Sequence, residues 1–198
     1  MKKISIYFVS FLIIFHSSLL AYSSDPESFV AELVKDTINK LSDKNLRKEQ
    51  KVSFVEKVAL ENVDINALSL YTLGVLRKSS DEKDISNYKK SFEKYFLKSL
   101  TARLSEYSSS KFEVIGEDKK SPTTTIIHSK VIPLESGTEI KIDWRIYTKD
   151  PENPLIRDLI VEGLSMARVQ KEEFASILSS NNNNIKILIK KLDEFVNN

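Results

Sequence analysis

The side chains that could do chemistry in this 198-residue chain are few, and their spacing narrows what they could do. Two histidines occur, His16 in an apolar N-terminal run and His128 in a segment with period-two character. A Ser-His-acid triad would need a serine on a glycine-flanked elbow, and no serine here has that setting. Gly74, Gly116, Gly137 and Gly163 are isolated from one another, so no glycine-rich loop can cradle a phosphate. Cysteine is absent, which excludes thiolate nucleophiles, disulfides and zinc–thiolate sites. A second histidine to complete a histidine metal cluster is also lacking, so no metal and no cofactor are expected. The remaining candidates are carboxylates. Asp143 and Arg145 stand two apart on one strand face, and Asp158 and Glu162 stand four apart on the next strand. Such pairs could form an acid/base couple at one end of the sheet. The simpler reading is that Asp143 and Arg145 offset each other on a polar sheet face, because nothing else that catalysis requires accompanies them.

The elements that must position these residues begin after a leader. Met1-Lys2-Lys3 precedes an apolar run from Ile4 to Leu20, and Ala21-Tyr22-Ser23 offers small residues at cleavage spacing. That is the order of a secretory signal peptide, with cleavage expected near Ser23. Loss of Lys2 and Lys3 takes the formal charge of +2 to about neutrality. Lysine and glutamate alternate along most of the remaining chain, so the concentrated basic surface of a nucleic-acid binder is absent. Residues 24–198 are of a size to form one domain on an apolar core alone.

Three stretches compose it. Residues 24–107 read as helical. Asp25-Pro26 starts a first helix carrying Phe29, Val30, Leu33, Val34, Ile38 and Leu41, and a second covers 47–62. Asp64 caps a third that runs past Gly74, and Ser80 opens the longest, to about Tyr107. Residues 111–163 read as four strands, at 112–116, 123–132, 138–148 and 155–162, separated by turns at 118–122, 135–137 and 150–154. Such short connections make neighbouring strands antiparallel. On the third strand Ile140, Ile142, Trp144 and Ile146 share one face, and Lys141, Asp143, Arg145 and Tyr147 the other. Residues 164–198 form a helical tail with one helix over 165–179 and a terminal one through Ile185, Leu188, Leu192 and Phe195. The expected fold is α+β, a curved antiparallel sheet of about four strands covered by helices.

Several segments together resemble one family. Residues 96–107 end in Arg103-Leu104-Ser105-Glu106-Tyr107, and Ile142-Asp143-Trp144-Arg145 lies on the third strand. The most specific run is Ile156-Arg157-Asp158-Leu159-Ile160-Val161-Glu162-Gly163-Leu164-Ser165-Met166-Ala167, continued by Gln170 and Glu173-Phe174-Ala175-Ser176. In this order and spacing, over about residues 29–192, they resemble the MlaC (toluene-tolerance) family of periplasmic phospholipid-carrying proteins. Val75-Leu76-Arg77 departs from the aromatic pair usual there, and Leu100 stands where relatives often place Tyr.

The resemblance implies a nuclear-transport-factor-like cone and a periplasmic carrier with phospholipid as cargo. Its implied partners are an inner-membrane ABC transporter complex and an outer-membrane lipoprotein complex. Such a carrier is expected to act as a monomer and not as an enzyme. The expected lining is the apolar side of the long helix (Phe92, Tyr95, Phe96, Leu100, Leu104) facing Ile140, Ile142, Trp144 and Ile146, with Met166 and Val169 closing one end. Arg103 or Arg145 would meet the head group. The alternatives are a small enzyme on the same cone, using Asp143, Asp158 or His128, and a ligand-free periplasmic adaptor with a filled core.

Overall fold

The computed structural model describes residues 22–104, 110–133 and 138–198. Most of the leader, the end of the long helix at Tyr107 and the expected turn at 135–137 lie outside the described residues.

Helix α1 (Pro26–Ser42) begins where the sequence asks it to. Asp25 is extended and its carboxylate accepts the Ser28 N–H at 2.9 Å, with Pro26 in the first turn. Helix α2 (Lys48–Asn62) packs back against it, and α3 (Ile65–Thr72) starts on Asp64, whose side chain accepts the Ala67 N–H. The third helix does not continue through Gly74. That residue takes φ 64°, and a 3₁₀ turn (Gly74–Lys78) comes next. Helix α4 (Glu82–Leu104) is the longest.

The sheet has five antiparallel strands in the order β1-β2-β3-β4-β5: β1 (Ser110–Ser121), β2 (Thr124–Pro133), β3 (Ile140–Tyr147), β4 (Leu155–Val161) and β5 (Leu164–Ser165). Two features depart from expectation. Strand β1 runs on through Glu117–Lys120, because a run of charged residues suits an edge strand open to water. Gly163 does not end the sheet: it makes a two-residue hairpin with Glu162, at φ 80° and 49°, that returns the chain as β5. Register shifts fall between Val114 and Gly116 and between Arg145 and Ile146, and such bulges bend a sheet. Helices α5 (Met166–Ser179, capped by Ser165) and α6 (Ile185–Asn197, capped by Asn184) close the fold.

The apolar interior divides into two clusters. One joins α1 and α2 to a sheet face: Phe29, Val30, Leu33, Val34 and Val58 against Ile127, Trp144, Ile146 and Ile156. The other is wholly helical, with Tyr88 and Phe92 of α4 against Phe174, Leu178, Leu188 and Leu192 of α5 and α6. The junction between α2 and α3 ties them together. Val63 packs in both clusters, Asp64 N–H donates to the Ile156 carbonyl at 2.9 Å, and Arg157 pairs with the Asp64 carboxylate at 2.8 Å. No described helix is long and apolar enough to cross a membrane.

Candidate functional site

Register decides which side chains share the covered face. Ile127 lies opposite Trp144, Ser129 opposite Ile142, and Phe112 and Val114 opposite Val131 and Ser129. Burial along this face is uneven. Ile127 and Ile146, under α1 and α2, are fully buried, whereas Phe112 and Val114 on β1 are only half-buried. The helical layer therefore leaves the β1 side of the face incompletely covered.

At that side a groove of about 350 Å³, open to solvent, separates α1 from β1. Ala31, Lys35, Ile38 and Asn39 line it from the helix and Phe112 and Val114 from the strand. The helical residues fall at i, i+4, i+7 and i+8, a stripe adjoining the buried Phe29-Val30-Leu33-Val34 stripe. The strand residues are two apart and so point to one side. The register shift after Val114 ends the run and throws Ile115 outward, 52% exposed.

The wall behind the groove is chemically quiet. The Trp144 indole N–H donates to the Ser129 hydroxyl at 2.8 Å, and that hydroxyl donates to the Ile142 carbonyl at 2.7 Å. Ser129 is 1% exposed, so this chain of bonds satisfies its polar atoms inside the wall. Cationic character enters only at the rim. Lys35 is exposed and pairs with no carboxylate among the described residues. A smaller space of about 180 Å³ lies between the 3₁₀ turn and α5, lined in part by Gly74, Leu76, Lys171 and Leu178.

The expected lining does not form one surface. Ile142, Trp144 and Ile146 do share a face and lie in the α1–α2–sheet cluster, and Ile140 continues that face, half-buried. Phe92, Tyr95 and Phe96 face the helical cluster instead. Phe92 is 2% exposed and meets Phe174 edge-on at 6.2 Å, and the Tyr95 hydroxyl donates to Gln170 at 2.9 Å. The aromatic stripe of α4 is spent on α6, which docks along it, and on Phe174 of α5. Leu100 is half-buried farther along α4, and the side chains of Arg103 and Leu104 lie outside the described residues. Met166 opens α5 half-buried, and Val169 is 37% exposed on the same helix; neither lines the groove.

Arg145 is also displaced from the role of head-group partner. It projects from the opposite face of the sheet, with its Nε 3.8 Å from Asp158. Asp143 does not offset Arg145 there, contrary to expectation, but meets His128 across the strand pair, Oδ1 to Nδ1 at 2.8 Å. Asp158, 7% exposed, accepts from the Ser165 hydroxyl at 2.7 Å and the Ala167 N–H at 3.0 Å, holding the start of α5. Glu162 is turned away into the hairpin, where its carboxylate accepts the Lys141 N–H at 2.6 Å. Asp158 and Glu162 are thus occupied as helix and hairpin fasteners. No cluster of three metal-capable side chains occurs among the described residues.

Sequence reasoning placed Phe29, Val30, Leu33, Val34, Ile38 and Leu41 on α1 but read that helix as covering alone. The signal for a groove was the row beside it, Ala31, Lys35, Ile38 and Asn39, where a small residue and two polar ones leave room next to an apolar edge.

Comparison with known proteins bears on this geometry. No curated protein sequence matches the chain. Among solved structures, a phospholipid-binding protein from Ralstonia solanacearum, determined in complex with a phospholipid, superposes with a TM-score of 0.71. The two share 16% identity over 86% of this chain and 96% of that one, a likeness of fold. The family model described as MlaC protein matches residues 31–194, which takes in most of α1, the whole sheet, α5 and most of α6. The chain belongs to the MlaC protein family.

Proposed function

We propose that the protein is an exported carrier that holds a phospholipid by its acyl chains between α1 and the sheet and ferries it across the periplasm. The observation that carries this reading is the open apolar groove between Ile38 of α1 and Phe112 and Val114 of β1. Each methylene taken out of water contributes about 0.8 kcal/mol, so two chains with about thirty methylenes need roughly 24 kcal/mol of shielding. A dry wall with its polar groups already satisfied supplies shielding without specific anchors, so release to a membrane stays possible.

The groove, at about 350 Å³, is near the small end of the roughly 300–1,000 Å³ that holds a drug-sized molecule. A diacyl cargo requires α1 to move away from the sheet. The seam supports that motion: among the described residues no hydrogen bond or ion pair joins α1 to any strand, and packing alone holds them. Lys35 and Asn39 at the rim are suited to the phosphate, replacing Arg145 in that role. An inner-membrane ABC transporter complex and an outer-membrane lipoprotein complex of the Mla type would be the donor and acceptor, with the carrier monomeric.

The test is native mass spectrometry of protein purified gently from the periplasm of a bacterial host, with lipid extraction. Co-purifying phospholipid is expected. Protein that stays empty, with no extractable lipid, would overturn the carrier reading and favour a ligand-free adaptor.

A further inference from the structure

Within Ala21-Tyr22-Ser23 the leader can be removed at two bonds that each leave a small residue on its new C-terminus: after Ala21 or after Ser23. Ala21-Tyr22-Ser23 in isolation matches the small-x-small pattern and favours the second. The fold argues for the first. Tyr22 is half-buried and packs against the α1–α2–sheet cluster. Its ring meets Phe29, itself 1% exposed, edge-on at 6.3 Å, and its hydroxyl donates to Asp36 at 3.1 Å. Ser23 comes next, with its N–H on the Glu32 carboxylate at 2.8 Å and its hydroxyl accepting the Asp25 N–H at 3.2 Å. Burial together with Asp36, Glu61 and Glu32 pushes the Tyr22 phenol above its usual range, so three carboxylates act on this residue.

The geometry points to the Ala21–Tyr22 peptide as the bond cut on export, making Tyr22 the first residue of the mature chain. An export peptidase adds water across that bond: the Ala21 carbonyl carbon takes the hydroxyl, and the Tyr22 nitrogen takes the proton and leaves as an amine. At neutral pH that amine is largely an ammonium. Cutting after Ser23 would discard the Tyr22 ring, its bond to Asp36 and both Ser23 bonds.

This rests on the reading that the chain is exported, and one measurement separates the two. The chain from Met1 is expressed in a Gram-negative host and the intact mass of the periplasmic protein is determined. A mass beginning at Tyr22 is expected. A mass beginning at Ser24 overturns this assignment alone, whereas an unprocessed mass overturns the assignment and counts against export. Mature forms beginning at Tyr22 and at Ser24 are then melted side by side. The shorter form should melt about 2–4 °C lower. Equal melting temperatures would overturn the claim that the Tyr22 and Ser23 contacts stabilise the mature fold.

Discussion

Phe112 of β1 stands edge-on to the buried Trp144 of β3, with ring centroids 6.2 Å apart and planes at 88°. One ring lines the groove, the other belongs to the core, and their contact makes the groove wall continuous with the packed interior. This joins the carrying surface to the stability of the fold and shapes what each substitution should do.

Phe112→Glu and Ile38→Glu put a charge on each wall of the groove at half-buried positions. Each should leave a folded protein and lower the lipid-bound fraction at least about tenfold in native mass spectra, because a desolvated carboxylate opposes the acyl chains. Wild-type loading in both variants would exclude this groove as the carrying site.

Lys35→Glu tests the rim. The exposed ammonium contributes little to stability, so the melting temperature should hold, while loading of anionic phospholipid falls severalfold. Retained loading with unchanged head-group preference would remove Lys35 from that role.

Phe92→Ala addresses the long helix. Phe92 is 2% exposed within the helical cluster, so truncation should cost about 3–5 kcal/mol in denaturant unfolding. Loading per folded molecule should not change. A selective loss of lipid would return α4 to the lining.

Ser129→Ala leaves the Trp144 indole N–H without its acceptor inside the wall. An unpaired buried donor costs about 1–3 kcal/mol, read as a lower unfolding midpoint. A midpoint shift within error would show that the indole finds another partner.

Asp25 carries the pH prediction. The Ser28 backbone and side chain hold its carboxyl below the usual carboxylate range. A group depressed in the folded state contributes stability above its unfolded value and loses it as pH falls through the folded one. Asp25→Ala should therefore destabilise by about 0.5–2 kcal/mol at neutral pH, with the gap to wild type closing in acid. A gap that persists at acid pH would show that the effect is not carried by the ionised cap.

The sequence by itself determined the local elements and the alternation of faces. Period-two spacing put Ile142, Trp144 and Ile146 on one face and Asp143 and Arg145 on the other, because neighbouring side chains on a strand must point opposite ways. Capping at Asp25 and Asp64 was legible for an equally local reason, since a side-chain oxygen reaches a backbone N–H three residues on. Only the tertiary structure decided which faces meet. The stripes of α1 and α4 are both apolar, yet α1 covers the sheet while α4 turns to α5 and α6, on the far side of the sheet in chain order. Periodicity reports that a face is buried but not against what. A groove depends on the small shortfall between two surfaces that are remote in sequence.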